Sequence, residues 1–327
     1  MPAKYGPEEE LAELRARCHR VAANNLILVR HLKRILDLFC ENGITALAWK
    51  GPALAAEAYG DIGLREFRDL DLLVRLADVV RARRLLESIG YVSSHAFSPS
   101  QERVLLLHGH ELQMVRDGQL VELHWAIAKG VHAVPIDFPA LWARQRLIKV
   151  GPYAVPTLGV EDHFLTLCVH GTSHAWQRLI WVCDVAELIR ARPDMEWDRI
   201  LSESHRLGFG RMVSVALALA NHLLDASLPS AVRKRVAADS SAVALATDLG
   251  DEIFREERAR GSFVSFHLRV RETFGAKLSF VARALFQPAP EDWTALSLPD
   301  VAYPLYYLVR PFRLMKAYGG PFLLRRH

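Results

Sequence analysis

Ala48-Trp49-Lys50-Gly51-Pro52-Ala53-Leu54 and, further on, Leu64-Arg65-Glu66-Phe67-Arg68-Asp69-Leu70-Asp71-Leu72-Leu73-Val74 decide the reading of this chain. The apolar run from Ile44 to Trp49 predicts a strand, and it stops at Lys-Gly-Pro. Gly51 permits a turn. Pro52 suits the first helical position, where its missing N–H has no helical partner to lose. A helix over 52–60 and a strand over 69–75 follow. In a strand, residues i and i+2 share a face, so Asp69 and Asp71 look one way while Leu70, Leu72 and Val74 enter a core. A turn that offers backbone N–H groups and a lysine, beside two carboxylates on a neighbouring strand, is an arrangement for phosphate and divalent metal. An Asp-x-Asp by itself is equally at home on a solvated strand edge, so the order of the features carries the reading.

Downstream of this unit, Asp117-Gly118 separates two alternating runs, His110 to Arg116 and Gln119 to Ile127. That pair is the strongest short hairpin signal. A two-residue turn sets Gln113 opposite Glu122 and Glu111 opposite His124, with Leu112 against Leu123 and Met114 against Val121. Glu111, Gln113, Glu122 and His124 then form one polar face, and the apolar residues with Trp125 form the core face. If this hairpin lies beside strand 69–75, Asp69, Asp71 and Glu122 converge. Three such carboxylates can hold two Mg²⁺ ions.

Upstream, Pro7 to Asn42 reads as one long helix, with Leu11, Leu14, Cys18, Val21, Asn25, Leu28, Leu32, Ile35 and Phe39 at three- and four-residue spacing. A helix over 77–88, a short strand 91–94 and a polar loop lead to the hairpin. Residues 137–157, with Pro139, Pro152 and Pro156, read as irregular, and the domain boundary is placed there. The remainder reads as helices over 160–191, 196–207, 210–225, 229–256 with a break, and 262–286, followed by a proline-punctuated tail. The expected organisation is an N-terminal helix (1–43), an α+β domain with a mixed sheet (44–150) and a helical domain (151–327).

Composition narrows the function classes. A hydrophobic fraction of 51% with 24% charged residues is that of a globular protein with a sizeable core. A net charge of +4 suits nucleotide-like anions but is too small to argue for nucleic acid, which is not an expected partner. The acidic start (Glu8, Glu9, Glu10) does not read as a signal peptide, and no uncharged run reaches a membrane span. Four cysteines (Cys18, Cys40, Cys168, Cys183) without Cys-x-x-Cys read as buried thiols in a reducing, cytoplasmic compartment.

The motifs Lys50-Gly-Pro-Ala-Leu, Leu64-Arg-x-x-Arg-Asp-Leu-Asp-Leu-Leu-Val and Val121-Glu-Leu-His-Trp resemble the uncharacterised nucleotidyltransferase group of the DNA polymerase β-like superfamily. His170-Gly-Thr-Ser-His-Ala-Trp, Trp181-Val-Cys-Asp and the tail Leu308-Val-Arg-Pro-Phe-Arg-Leu extend the resemblance over most of the chain. It implies a polymerase β-like α+β domain followed by helices. It also implies that Asp69 and Asp71 are the paired metal carboxylates and Glu122 the third. Lys50-Gly51 stands where the wider superfamily has Gly-Ser, which replaces a hydroxyl contact to the triphosphate by a charge. The expected activity is Mg²⁺-dependent transfer of a nucleoside monophosphate from an NTP to a hydroxyl or phosphate of a small-molecule, peptide or protein acceptor. Transfer of another phosphate-linked group, such as a sugar phosphate, and a non-catalytic binding module are the alternatives.

Around that centre, Arg65 and Arg68 are candidates for phosphate, since guanidinium matches its geometry with two parallel hydrogen bonds. Their structural alternative is an ion pair with Glu66, Asp61 or the acidic pair. His124 has three readings: orienting Glu122, contacting phosphate, or pairing with Glu111. On a single helix from Glu161, turning 100° per residue, His170, His174, Gln177, Trp181 and Asp184 form a stripe. The stripe lines a cleft or makes an interdomain face, and Arg178 beside it is a further phosphate contact. A zinc-protease helix would need Glu after the first His, where Gly171 stands. Trp49 and Trp125 are expected in the core. The tail cations Arg310, Arg313, Lys316, Arg325 and Arg326, interleaved with Phe312, Tyr318 and Phe322, read as solvated charges on a packed helix.

Overall fold

The computed structural model describes residues 7–93, 97–128, 130–132, 134, 137–255, 262–296 and 298–318. Ser94 of the short strand, and Phe322, Arg325 and Arg326 of the tail, lie outside them. The chain opens with α1 (Pro7–Glu41), β1 (Ala46–Ala48), α2 (Gly51–Tyr59), β2 (Asp69–Val74), α3 (Val79–Ser88) and β3 (Val92–Ser93). It continues with α4 (Pro99–His108), β4 (Glu111–Arg116), β5 (Gln119–His124), α5 (Phe138–Ala143), β6 (Arg146–Val150) and β7 (Tyr153–Thr157). Helices α6 (Val160–Ser173), α7 (Leu179–Ala191), α8 (Trp197–Arg206), α9 (Gly210–Leu224), α10 (Ser230–Ala238) and α11 (Ser240–Ile253) follow. The last helices are α12 (Ser262–Arg269), α13 (Phe274–Phe286), α14 (Pro290–Ala295) and α15 (Tyr306–Tyr318). The fold is α+β, with a mixed sheet between a long N-terminal helix and a helical C-terminal region.

The main sheet has the order β1-β2-β5-β4-β3. Its β2–β5 pair is parallel and sets Asp71 beside Glu122; the other neighbours are antiparallel. The β4–β5 register is the one a two-residue Asp-Gly turn dictates, with Gln113 opposite Glu122 and Glu111 opposite His124. Strand alternation gives the sheet two different faces. One face, with Ala46, Ala48, Leu70, Leu72, Val74, Met114, Val121 and Leu123, packs on α1 and α3 through Leu28, Leu32, Ile35, Phe39 and Leu86. On the other face, Leu47, Trp49 and Leu73 join the core of the helical region through Phe164, Cys168, Val185 and Val213. That second face also carries the carboxylates, which therefore look towards α6 and α7.

Helix α1 is buried only in its C-terminal half; residues 8–20 are exposed. Asn25, fully buried on its inner side, donates from Nδ2 to the carbonyls of Ile62 (2.6 Å) and Arg65 (2.9 Å). It thereby fastens the loop that leads into β2.

Several expectations are corrected, among them the helix over 262–286, which is two helices, α12 and α13. The polar loop before the hairpin contains α4, started by a capping box between Ser98 and Gln101. The stretch 137–157 is not irregular: it holds α5 and the β6–β7 hairpin, turned at Gly151 with φ +58°. Thr157 Oγ1 ties that hairpin to β1 by donating to the Ala48 carbonyl at 2.5 Å. The helix over 160–191 is two helices, broken after Ser173, because Ala175 and Trp176 take left-handed φ values of 49° and 51°. The turn folds the Trp176 indole against Gly171, where a Cβ would meet the ring at 2.5 Å. Of the cysteines, Cys168 is buried while Cys18 and Cys40 are exposed. The tail cations Arg310 and Arg313 are likewise not solvated alone: both bond the fully buried Asp292, Arg310 at 2.9 Å.

Candidate active site

Gly51 is where the turn and the acidic strand meet. Its φ is +47°, and a Cβ there would lie 3.2 Å from the Asp69 carbonyl oxygen. Glycine is the residue that suits both the left-handed backbone and the close approach. The turn places Lys50 at the start of α2, an end without a side-chain cap, with its ammonium 2.5 Å from Asp71 Oδ1. The same oxygen receives His124 Nε2 at 3.0 Å, and that nitrogen lies 3.4 Å from Glu122 Oε2. Gln113 Nε2 donates to Glu122 Oε1 at 2.9 Å. On the far side of the imidazole, Nδ1 is 3.6 Å from Glu111 Oε2, which also pairs with His110 Nε2 at 3.1 Å.

The charges shift one another. Burial alone would raise the Asp71 pKa, but Lys50 and His124 outweigh it and hold this carboxyl well below the usual range. Asp69 lacks such partners: burial and the neighbouring Asp71 charge push it up to about 6. Burial lowers His124, yet its bonds to Asp71 and Glu122 more than reverse that and lift it to about 9. Lys50 is raised in the same way, burial being outweighed by Asp71 and Glu122. Burial would raise Glu111, and the His110 bond brings it down to about 2.

One donor atom each from Asp71, Glu122 and His124 lie within 4.8 Å of one another, close enough to share a metal ion. Asp69 lines the same cavity one strand repeat away from Asp71. Four carboxylates (Asp69, Asp71, Glu111, Glu122) thus face one lysine and two histidines. A surplus of buried acid beside oxygen and nitrogen donors fits a divalent cation.

These groups floor a cleft of about 810 Å³ between the sheet and the α6–α7 corner. Although the helix is broken, its stripe still reaches the cleft, because the left-handed turn redirects α7 back across α6. His170, His174, Gln177, Arg178, Trp181 and Asp184 all line it. The rings form a wall: His170 stands edge-on to Trp49 (6.0 Å) and Trp181 (5.5 Å), and His174 tilts over Trp181 at 4.9 Å. Burial, with Lys50 and His174 close by, keeps the His170 pKa well below its ordinary value, so the ring is neutral. Arg178 lies over the Trp181 ring at 5.8 Å.

The two arginines differ. Arg68 is exposed at the rim and bonds Glu66 at 2.7 and 3.0 Å. Arg65 is buried and makes a two-pronged pair with Asp184, 119 residues away, at 2.7 and 2.8 Å. Tyr59 adds a hydroxyl donor to Asp184 at 2.8 Å. Arg65 therefore bonds neither Glu66, Asp61 nor the acidic pair, and its forked donors are engaged across the cleft wall. His110 and Tyr59 are the residues that sequence reasoning passed over. His110 heads the alternating run, where parity groups it with Leu112 and Met114, but β4 starts only at Glu111 and His110 lines the cleft. Tyr59 lies in an Ala-rich helix with no motif around it.

The model of a family described as uncharacterised nucleotidyltransferase matches residues 3–225. The chain belongs to that family. This nucleotidyltransferase is also similar to a solved structure, the solution structure of the antibiotic-resistance factor ANT(2'')-Ia. The similarity has 14% identity and a TM-score of 0.37, over 65% of this chain and 95% of the other. No protein of curated function matches. Among the described residues no helix is long and apolar enough to cross a membrane.

Proposed function

We propose that this nucleotidyltransferase moves a nucleoside monophosphate from an NTP to an oxygen of a hydroxyl or phosphate on a small-molecule, peptide or protein acceptor, releasing pyrophosphate. The observation that carries the reading is the meeting of Asp71, Glu122 and His124 on parallel neighbours β2 and β5, beside a lysine at a helix start. Asp69, Asp71 and Glu122 would hold the divalent cations, two Mg²⁺ in this reading. When bound, such ions neutralise charge on the triphosphate and lower the pKa of the attacking oxygen. Lys50 and the uncapped start of α2 bind phosphate oxygens, the helix end supplying N–H donors and a favourable dipole. Arg68 at the rim meets the outer phosphates. His124, shared between Asp71 and Glu122, fixes both carboxylates in place. Glu122 accepts the proton of the acceptor oxygen as its bond to the α-phosphorus forms and the bond to the pyrophosphate oxygen breaks. Neutral His170, with His174 and Trp181 beside it, lines the side of the cleft where the acceptor would lie.

Water can stand in for the acceptor, so the test needs no partner. An α-³²P-labelled NTP incubated with the protein and Mg²⁺ or Mn²⁺ should yield labelled NMP and pyrophosphate. Asp71→Asn should lose that turnover by about 100-fold or more, since it removes several kcal/mol of charge stabilisation. Turnover at the wild-type rate in this variant, or NDP and phosphate as the products, would refute the assignment.

A further inference from the structure

Lys50 is in an unusual place for a phosphate ligand. It lines the cleft floor, yet its ammonium is already engaged there: it sits 2.5 Å from Asp71 Oδ1, an oxygen also bonded by His124 at 3.0 Å, and its side chain is only 12% exposed. Asp71 is also one of the three residues whose donor atoms come close enough to share a metal. The position that suits a metal's positive charge is thus filled, in the protein alone, by a cation of the protein itself.

We propose that Lys50 is an internal substitute for the divalent cation, which leaves Asp71 for the triphosphate when metal and nucleotide arrive together. The inference rests on the metal-dependent reading above and adds a second role to one of its residues. Three features support it. First, an ammonium and a divalent cation on one carboxylate repel each other, and Asp71 Oδ1 already has two donors, so both cannot keep it at once. Second, Lys50 starts α2, whose end has no side-chain cap, so a four-carbon stem pivoting there needs only χ rotations to turn from Asp71 to an anion at the helix start. Third, the ammonium lies over the Trp49 ring at 4.7 Å, a face that accepts a cation without fixing its direction. Expelled by metal alone, the ammonium has no anion to replace Asp71. Expelled by metal with nucleotide, it gains the phosphates. Metal and nucleotide therefore help each other bind through Lys50, and by linkage the help is equal in both directions.

The test compares wild-type protein with Lys50→Met and Lys50→Arg, using Mn²⁺ titrated by electron paramagnetic resonance with and without a non-hydrolysable α,β-methylene NTP. Nucleotide tightens Mn²⁺ in every variant, because phosphate oxygens themselves bind the ion. Lys50 accounts for the surplus. Lys50→Met should bind Mn²⁺ alone at least about 5-fold more tightly than wild type, and its nucleotide enhancement should shrink by the same factor, within the usual 5- to 150-fold span of such couplings. Lys50→Arg should behave as wild type.

A second measurement uses the unaltered chain, so a poorly folded variant does not decide the matter. Brief acetylation with peptide mass spectrometry should show Lys50 protected in the protein alone, exposed by saturating Mn²⁺, and protected again when nucleotide is added. Mn²⁺ binding to Lys50→Met no tighter than to wild type, or Lys50 labelling indifferent to Mn²⁺, would overturn the inference while leaving the metal site intact. No Mn²⁺ binding in any variant, with or without nucleotide, would overturn the metal reading itself.

Discussion

Asp184 on α7 joins three elements through one buried carboxylate, and replacing it by Asn isolates that contribution. Its carboxylate takes two hydrogen bonds from Arg65 on the loop before β2 and one from Tyr59 at the end of α2. Both members of the ion pair are buried, at 1% and 8% exposure. Burial alone would lower the Arg65 pKa, yet the carboxylate raises it above its ordinary value. Asn keeps the volume and one acceptor oxygen but leaves the guanidinium without a counter-charge. Removing one partner of a buried pair costs about 3–5 kcal/mol, and the retained oxygen puts Asp184→Asn near the lower end, at about 3 kcal/mol. With an unfolding entropy of about 2.1 cal/mol/K per residue, a chain of this length shifts about 1.5 °C per kcal/mol, so Tm should fall by about 4 °C. Urea unfolding followed by tryptophan fluorescence measures the free energy directly. The paired replacement Arg65→Met with Asp184→Leu should recover most of the loss, because no charge is then left buried. A cost below about 1 kcal/mol for Asp184→Asn, or a double variant no better than the worse single one, would show that the pair does not hold the cleft wall.

Three further outcomes concern the floor of the cleft. His124 is raised from an ordinary value near 6.5 to about 9, so its contribution to stability is complete below pH 6.5 and disappears as pH rises through 9. Between those limits unfolding free energy should fall by up to about 1.4 kcal/mol per pH unit in the metal-free protein. His124→Gln should flatten that slope in urea titrations, and an unchanged slope would refute the assignment. Asp69, lifted to about 6, must lose its proton to bind a cation, so Mn²⁺ affinity should climb as pH rises through 6 in wild type but not in Asp69→Asn. Gly51→Ala sets a Cβ 3.2 Å from the Asp69 carbonyl at φ +47°. It should cost about 1–3 kcal/mol and raise the KM for NTP more than it lowers kcat, because the turn proposed to bind phosphate is displaced; unaltered stability and kinetics would count against that role.

What could be read from residues alone follows the range of the forces involved. The Asp-Gly turn fixes its hairpin register locally, and strict alternation then assigns each side chain a face, so Glu111, Gln113, Glu122 and His124 were placed correctly from spacing. Asp69 and Asp71 followed from the same two-residue period. The β6–β7 hairpin was hidden because Gly151-Pro152 and Pro156 look like loop residues, whereas Pro156 is accommodated in a short two-stranded sheet. Helix α4 carried a legible Ser-Pro-x-Gln cap, but it has no fully buried side chain and so no apolar stripe to announce it. The break between α6 and α7 had no local signal at all: Ala175 and Trp176 are ordinary helical residues. What holds their left-handed backbone is tertiary, the buried Trp176 ring filling the space that Gly171 leaves open. The Arg65–Asp184 pair has the same character, since nothing near either residue indicates a partner more than a hundred positions away. Local rules therefore place the acids on their strand faces, and long-range contacts decide which wall of helices closes over them. That division explains why spacing assigns the faces of the floor and names the stripe His170, His174, Gln177, Trp181 and Asp184 that lines the cleft, but not the left-handed break and the Arg65–Asp184 pair that bring the stripe there.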